Sequence, residues 1–84
     1  MKKHIEYKTS GTCSRAIIVD VEDGIVSDCR FVGGCPGNTQ GVAALVVGMK
    51  AEDAIAKMKG IKCGVRATSC PDQLSRALEE ALAE

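Results

Sequence analysis

Residues 68–82 read T-S-C-P-D-Q-L-S-R-A-L-E-E-A-L and carry the strongest structural signal in the chain. Thr68 and Ser69 followed by Pro71 form a helix start, with proline in the first turn, where its missing N–H has no intrahelical role. Apolar residues then recur at i, i+3, i+4, i+7 and i+8, namely Leu74, Ala77, Leu78, Ala81 and Leu82. This spacing predicts a terminal amphipathic helix with one buried face and places Cys70 at its beginning.

Two further helices are predicted upstream of this one. After a glycine-rich break, Asn38 or Thr39 can cap a helix over residues 42–49, which is apolar enough to be largely buried and to form a central core helix. Residues 51–59 form a shorter amphipathic helix, and Gly60 suits its C-terminal cap.

The first third of the chain follows a period of two. Residues 5–9, 16–21 and 25–32 are predicted strands, and an Asp-Gly pair at residues 23–24 predicts a tight turn between the second and third. In the third strand Ile25, Cys29 and Phe31 should share the buried face. The fold class is therefore α+β, with a three-stranded antiparallel sheet followed by three helices packed on one face, in a single domain over residues 1–84.

Composition excludes several classes of function. The chain has 84 residues, formal net charge zero and two aromatic residues, Tyr7 and Phe31. A neutral chain has no long-range field for nucleic acid or an anionic membrane, and few aromatics leave little for base stacking. No apolar stretch reaches membrane-spanning length, and no apolar run follows the basic N-terminal residues. We therefore expect a cytoplasmic protein that binds neither nucleic acid nor membrane.

Five cysteines stand out in so short a chain. In a reducing cytosol an odd number of cysteines indicates metal binding or catalysis rather than disulfides. Cys29 falls within a strand beside Phe31 and is predicted to be a small core residue. The other four fall in turns at the ends of predicted elements: Cys13, Cys35, Cys63 and Cys70.

These four cysteines leave two kinds of site open. Their spacings are wide and include no C-x-x-C pair, so the pattern fits a metal site assembled by the fold rather than a zinc-finger knuckle. Cys35 and Cys70 precede predicted helices, where the dipole and free N–H groups favour a thiolate. The alternative to a metal module is thus a thiol, persulfide or redox carrier that uses Cys35 and Cys70.

The signature T-S-C-P-D at residues 68–72, together with G-G-C-P-G-N at residues 33–38, resembles the small four-cysteine proteins of the TSCPD-domain family. The resemblance covers nearly the whole chain. It implies that Cys13, Cys35, Cys63 and Cys70 form the shared set, which would hold zinc or an iron–sulfur cluster, and it leaves Cys29 outside.

A related domain forms the C-terminal end of the adenosylcobalamin-dependent ribonucleotide reductases. Labels given to the family therefore include ribonucleotide reductase, DNA synthesis and nucleotide binding. Because 84 residues cannot enclose a radical-generating cofactor and a substrate pocket, the resemblance implies an accessory or detached relative rather than an autonomous enzyme. The implied partner is a ribonucleotide reductase or a component of an iron–sulfur or thiol pathway.

A more distant resemblance links the chain to the U-type iron–sulfur cluster scaffolds. Cys13, Cys35 and Cys70 are similar in order and context to the three cluster cysteines of those scaffolds, although Ser69 stands where the scaffold has histidine and Arg15 where it has aspartate. With Cys63 as a fourth ligand, the implied site is closed and all-thiolate, better suited to holding a metal than to releasing a cluster.

Two other features have ordinary explanations. The glycine-rich residues 33–38 before a helix could cradle a phosphate, but they lack the Lys-Ser or Lys-Thr ending of a P-loop, and nucleotide binding is therefore not favoured. His4 alternates with Glu6 on a predicted edge strand, so we expect a solvated side chain rather than a ligand.

Overall fold

The computed structural model describes residues 2–11, 14–33, 36–62, 64 and 67–83, apart from the side chains of residues 36 and 38. Within these residues three strands precede three helices, which confirms the predicted α+β architecture. The strands are β1 (Lys2–Lys8), β2 (Ser14–Glu22) and β3 (Ile25–Gly33), and the helices are α1 (Pro36–Val46), α2 (Ala51–Met58) and α3 (Cys70–Ala83).

The strands form one antiparallel sheet in the order β1-β2-β3. The turn between β2 and β3 matches its sequence, since Asp23 (φ 52°) and Gly24 (φ 82°) both adopt positive φ, as a type I′ turn requires. In the centre of the sheet Ile17 lies opposite Tyr7 on one side and Phe31 on the other. The alternation of the sequence is therefore converted into one apolar face of the sheet.

A bulge in β3 changes which side chains reach that face. Asp20 lies opposite Asp28, whereas Val21 lies opposite Val26, so Ser27 is an extra residue in β3. The bulge reverses the alternation before it: Val26 is fully buried, and Ile25 is 36% exposed. The prediction that Ile25 shares the buried face was wrong for this reason.

Different helices cover different strands of the apolar face. α3 packs on β1 and β2, α1 packs on β3, and α2 packs on α3. The core consists of Ile5, Ile17, Val19, Val21, Val26, Cys29, Val46, Ala51, Ala54, Met58, Leu74, Ala77, Leu78 and Ala81. The predicted core role of Cys29 is confirmed, and burial, with a smaller contribution from the Asp28 charge, raises the pKa of its thiol to about 12.

The central helix differs from its prediction. α1 begins at Pro36, ahead of the expected caps, and ends at Val46. It packs on the single strand β3, so it buries Val46 but leaves Leu45 77% exposed. The chain then returns to the sheet edge, where the Val26 N–H donates to the Met49 carbonyl and the Gly48 N–H donates to the Val26 carbonyl. The prediction of a largely buried helix over residues 42–49 was therefore wrong.

His4 lies on the side of the sheet opposite the core. Its Nδ1 lies 2.5 Å from Asp20 Oδ1 on β2, and its Nε2 lies 3.2 Å from Glu6 Oε2. The side chain is exposed as predicted, but it is also paired with two carboxylates. The hydrogen bond to Asp20, followed by that to Glu6, raises the pKa of His4.

Among the helices of the described residues, none combines the length and the apolar character that crossing a membrane requires.

Replacing Leu78 by Ala should lower the free energy of unfolding by about 2–5 kcal/mol, because the side chain is fully buried and its loss leaves a cavity. Leu45→Ala is the matched control, and it should stay within about 0.5 kcal/mol of the wild type because Leu45 is mostly exposed. Urea denaturation measures both values. Equal losses of unfolding free energy from the two substitutions would contradict the finding that Leu78 is buried and Leu45 is exposed.

Asp20→Asn should lower the pKa of His4 toward its ordinary value, because it replaces the charged acceptor of the main hydrogen bond from the imidazolium by a neutral, weaker one. Since the folded-state pKa is raised, the pair stabilises the fold fully below pH about 6.5, and this contribution is lost as pH rises through the folded-state pKa. NMR titration of the imidazole in wild type and variant measures the shift. An unchanged His4 pKa would contradict the pairing with Asp20.

Candidate metal centre

Cys70, one of the four predicted ligands, is the first residue of α3 and is half-buried. Cys13, Cys35 and Cys63 lie outside the described residues. Within the described part of the chain, no group of three or more His, Cys, Asp or Glu side chains could hold a metal ion. The surroundings of Cys70 and the described residues next to the other three cysteines can nevertheless be compared.

Ser69 caps α3 and attaches it to the segment before Cys63. The Ser69 Oγ accepts a hydrogen bond from the Asp72 N–H at 3.1 Å, which satisfies one of the free donors of the first helical turn. The same hydroxyl donates to the Ile61 carbonyl oxygen at 2.6 Å. Ile61 stands two residues before Cys63, so one serine joins the start of α3 to that segment.

Asp72 forms a second connection to the same segment. Its carboxylate, which belongs to a residue only 4% exposed, accepts from the Gly60 N–H at 2.8 Å and from the Thr68 hydroxyl. Arg76 Nη2 lies 3.4 Å from Oδ2. These donors, the Thr68 hydroxyl first and the Gly60 N–H second, lower the pKa of Asp72, so the carboxylate stays ionised at neutral pH.

Gln73 connects α3 to the segment before Cys13. The residue is fully buried, and its Nε2 donates to Thr68 Oγ1 at 3.0 Å. Its Oε1 accepts from the Ser10 N–H at 3.1 Å. Ser10 stands three residues before Cys13, and the loop to β2 is closed by a 2.6 Å bond from the Thr9 hydroxyl to the Ser14 carbonyl oxygen.

Ser14 brings the start of β2 next to Cys70. The Cys70 Sγ lies 3.4 Å from the buried Ser14 Oγ, and Ser14 directly follows Cys13 in the chain. In the sheet Ser14 lies opposite Gly33, which stands two residues before Cys35. The described neighbours of Cys13 and Cys35 are therefore both close to the first turn of α3.

Taken together, described residues near the other three predicted ligands are connected to the start of α3. Ser14 lies beside Cys70, Gly33 lies opposite Ser14 in the sheet, and the Ile61 carbonyl accepts from Ser69. A set of four thiolates is one that zinc and iron–sulfur clusters both accept. Among the described residues, Cys70 is the one predicted ligand whose position can be given, at the start of α3.

An apolar groove of about 240 Å³ borders this end of the domain. It is lined by Val42, Leu45, Val46, Met49, Ala54, Lys57, Met58, Ile61 and Pro71. Pro71 directly follows Cys70, so the groove continues to the start of α3. Lys57 is its one charged lining residue among those described.

These features define a small α+β domain in which Cys70 begins the last helix and a buried hydrogen-bond network surrounds its first turn. The sequence pattern of the TSCPD domain matches residues 1–82, and the chain belongs to this family. No curated protein and no solved structure matches the chain.

The sequence identifies Thr68, Ser69 and Asp72 only as part of a helix start and of the family signature, and it does not indicate their hydrogen-bond partners. Ser69 and Asp72 have the three-residue spacing of a capping box, which could have indicated their contact. Gln73 gave no comparable signal, because its partner Ser10 is distant in the chain. The position of Ser14 beside Cys70 and opposite Gly33 likewise depends on the register of the sheet, which the sequence does not give.

Ser69→Ala should lower the free energy of unfolding by about 1–2 kcal/mol, because it removes the cap of α3 and the bond to the Ile61 carbonyl. Ser27→Ala removes an exposed hydroxyl that donates to the Asp20 carbonyl, and it should change the value by no more than about 0.5 kcal/mol. Thermal and urea unfolding of the metal-free proteins measure both. A neutral Ser69→Ala would show that the cap is dispensable.

Proposed function

We propose that this chain is a small metal-binding module in which Cys13, Cys35, Cys63 and Cys70 hold a zinc ion or an iron–sulfur cluster. The observation that carries the proposal is the meeting of Ser14, Gly33 and Ile61, the near neighbours of three of these cysteines, around the start of α3. A structural thiolate site needs its cysteines close together, and these contacts support such an arrangement.

Each bound group would supply different chemistry. Zinc would crosslink the loops without redox activity, whereas an iron–sulfur cluster would add electron transfer. The chain's own contribution is the same in both cases: α3 presents Cys70 in its first turn, where the helix dipole favours negative charge, and the Ser14 hydroxyl lies within reach of the sulfur.

The second candidate function is a thiol, persulfide or redox carrier based on Cys35 and Cys70. The half-buried position of Cys70 at the first residue of a 14-residue helix favours it, because the sulfur is only partly enclosed by the fold. Cys29 does not fit this role, since its buried thiol has a pKa near 12 and is protonated at neutral pH. Metal content distinguishes the two functions.

We further propose a cytoplasmic protein, because reduced thiols need a reducing compartment. Its role would be that of an accessory or detached relative of the ribonucleotide reductase C-terminal domain, and its partner a ribonucleotide reductase or an iron–sulfur or thiol pathway protein. The apolar groove beside Pro71, with Lys57 in its lining, suits a partner segment with apolar and acidic side chains.

Replacing Cys13, Cys35, Cys63 or Cys70 by Ser should each reduce the metal bound per chain and lower the melting midpoint, because each change removes one thiolate ligand. Protein purified anaerobically under reducing conditions is measured by elemental analysis and by its absorption spectrum, which distinguishes zinc from an iron–sulfur cluster. The four variants should resemble one another.

Cys29→Ala is the matched control for these variants. It should retain the full metal content and lose only the modest stability of a smaller core side chain. Loss of metal in Cys29→Ala equal to that in the other four would contradict the four-ligand set. If the purified wild-type protein contains no metal, the thiol carrier becomes the favoured function.

A further inference from the structure

We propose that Asp72 and Gln73 are positioning residues of the metal centre, which hold the segments preceding Cys13 and Cys63 against the start of α3 before metal binds. The inference rests on the metal-binding function proposed above. It assigns a role to two residues of the last helix that are not themselves ligands.

The two residues act on corresponding points of two loops. Ser10 stands three residues before Cys13, and Gly60 stands three residues before Cys63. The Ser10 N–H donates to Gln73 Oε1 at 3.1 Å, and the Gly60 N–H donates to Asp72 Oδ1 at 2.8 Å. Because both bonds hold backbone N–H groups, they fix the path of the main chain that leads to each cysteine.

The Thr68 hydroxyl couples the two connections. It donates to Asp72 and accepts from Gln73 Nε2, so each bond orients the group that makes the other. Gln73 is fully buried and Asp72 is 4% exposed, which keeps water from replacing these partners. Among the described residues, every buried side-chain nitrogen and oxygen has a partner. A fully satisfied buried network of this kind specifies one geometry.

This arrangement predicts that metal affinity depends on side chains that do not touch the metal. Loops already held near Cys70 lose less conformational entropy when the metal binds than free loops would. Removing a partner that orients metal ligands lowers metal affinity about 10- to 100-fold in known sites. The metal-free domain, in turn, should remain folded with both connections formed.

The test compares Gln73→Leu and Asp72→Asn with the wild type. Leucine nearly conserves the buried volume but removes the acceptor for Ser10, whereas asparagine keeps an amide oxygen for Gly60 and loses the charge. Zn²⁺ affinity is measured by competition with a chromophoric chelator, on reduced protein at a temperature where circular dichroism shows every variant folded. We expect about 10- to 100-fold weaker binding for Gln73→Leu and a smaller loss for Asp72→Asn.

Leu78→Ala is the matched control, since it destabilises the same helix without removing a polar group. Its Zn²⁺ affinity in the folded state should equal that of the wild type. An equal loss of Zn²⁺ affinity in Leu78→Ala would show that the effect comes from general stability, and it would overturn the inference. Wild-type Zn²⁺ affinity in both Gln73→Leu and Asp72→Asn would overturn it as well.

Amide hydrogen exchange of the metal-free protein separates this inference from the proposed function. The Ser10 and Gly60 amides should be protected in the wild type, and Ser10 should lose its protection in Gln73→Leu. Unprotected amides in a wild type that binds Zn²⁺ would overturn the positioning role alone. Protected amides in a wild type that binds neither zinc nor iron would overturn the proposed function and leave the two connections as features of the fold.

Discussion

The buried carboxylate of Asp72 constrains the connection between the last two helices. A buried carboxylate is costly unless donors surround it, and here the donors come from Gly60 after α2 and from Thr68 before α3. Neither segment can move away without leaving a charge unsatisfied in the interior. α3 also packs on β1 and β2. The hydrogen bonds of Asp72 therefore fix the segment between α2 and α3 relative to the sheet.

The sequence-based prediction of the fold succeeded wherever a regular pattern met a single continuous surface. In α3 four residues of the predicted face are buried, namely Leu74, Ala77, Leu78 and Ala81. Leu82, near the end of the helix, is 46% exposed, so the predicted face was wrong at that residue. The prediction also failed where one extra residue or a narrow contact intervened. The Ser27 bulge moved Ile25 out of the core, and α1, which rests on one strand, left Leu45 in solvent. Neither event is visible in a hydrophobic pattern.

The candidate site was predictable to a different extent. The position of the cysteines at element ends and the motif at residues 68–72 predict four ligands, which stays a prediction. The same pattern places Cys29 in the core, and the structure confirms its burial. The network around them was not predictable, because Ser10 and Gln73 are 63 residues apart and no local pattern links them. Long-range hydrogen bonds of this kind follow from the packed fold and not from a window of sequence.

The two ends of the domain are stabilised by different kinds of interaction. Around Ile17, Val19 and Leu78 the core is aliphatic, and burial of apolar surface there supplies free energy without much geometric precision.

At the start of α3 the buried groups are polar. Thr68, Asp72 and Gln73 give up hydration for hydrogen bonds of modest net value, so their contribution is chiefly to geometry rather than to free energy. A metal bound by the four cysteines would supply at this end the free energy that the network does not, and the network would supply the arrangement that a metal site with widely spaced ligands needs.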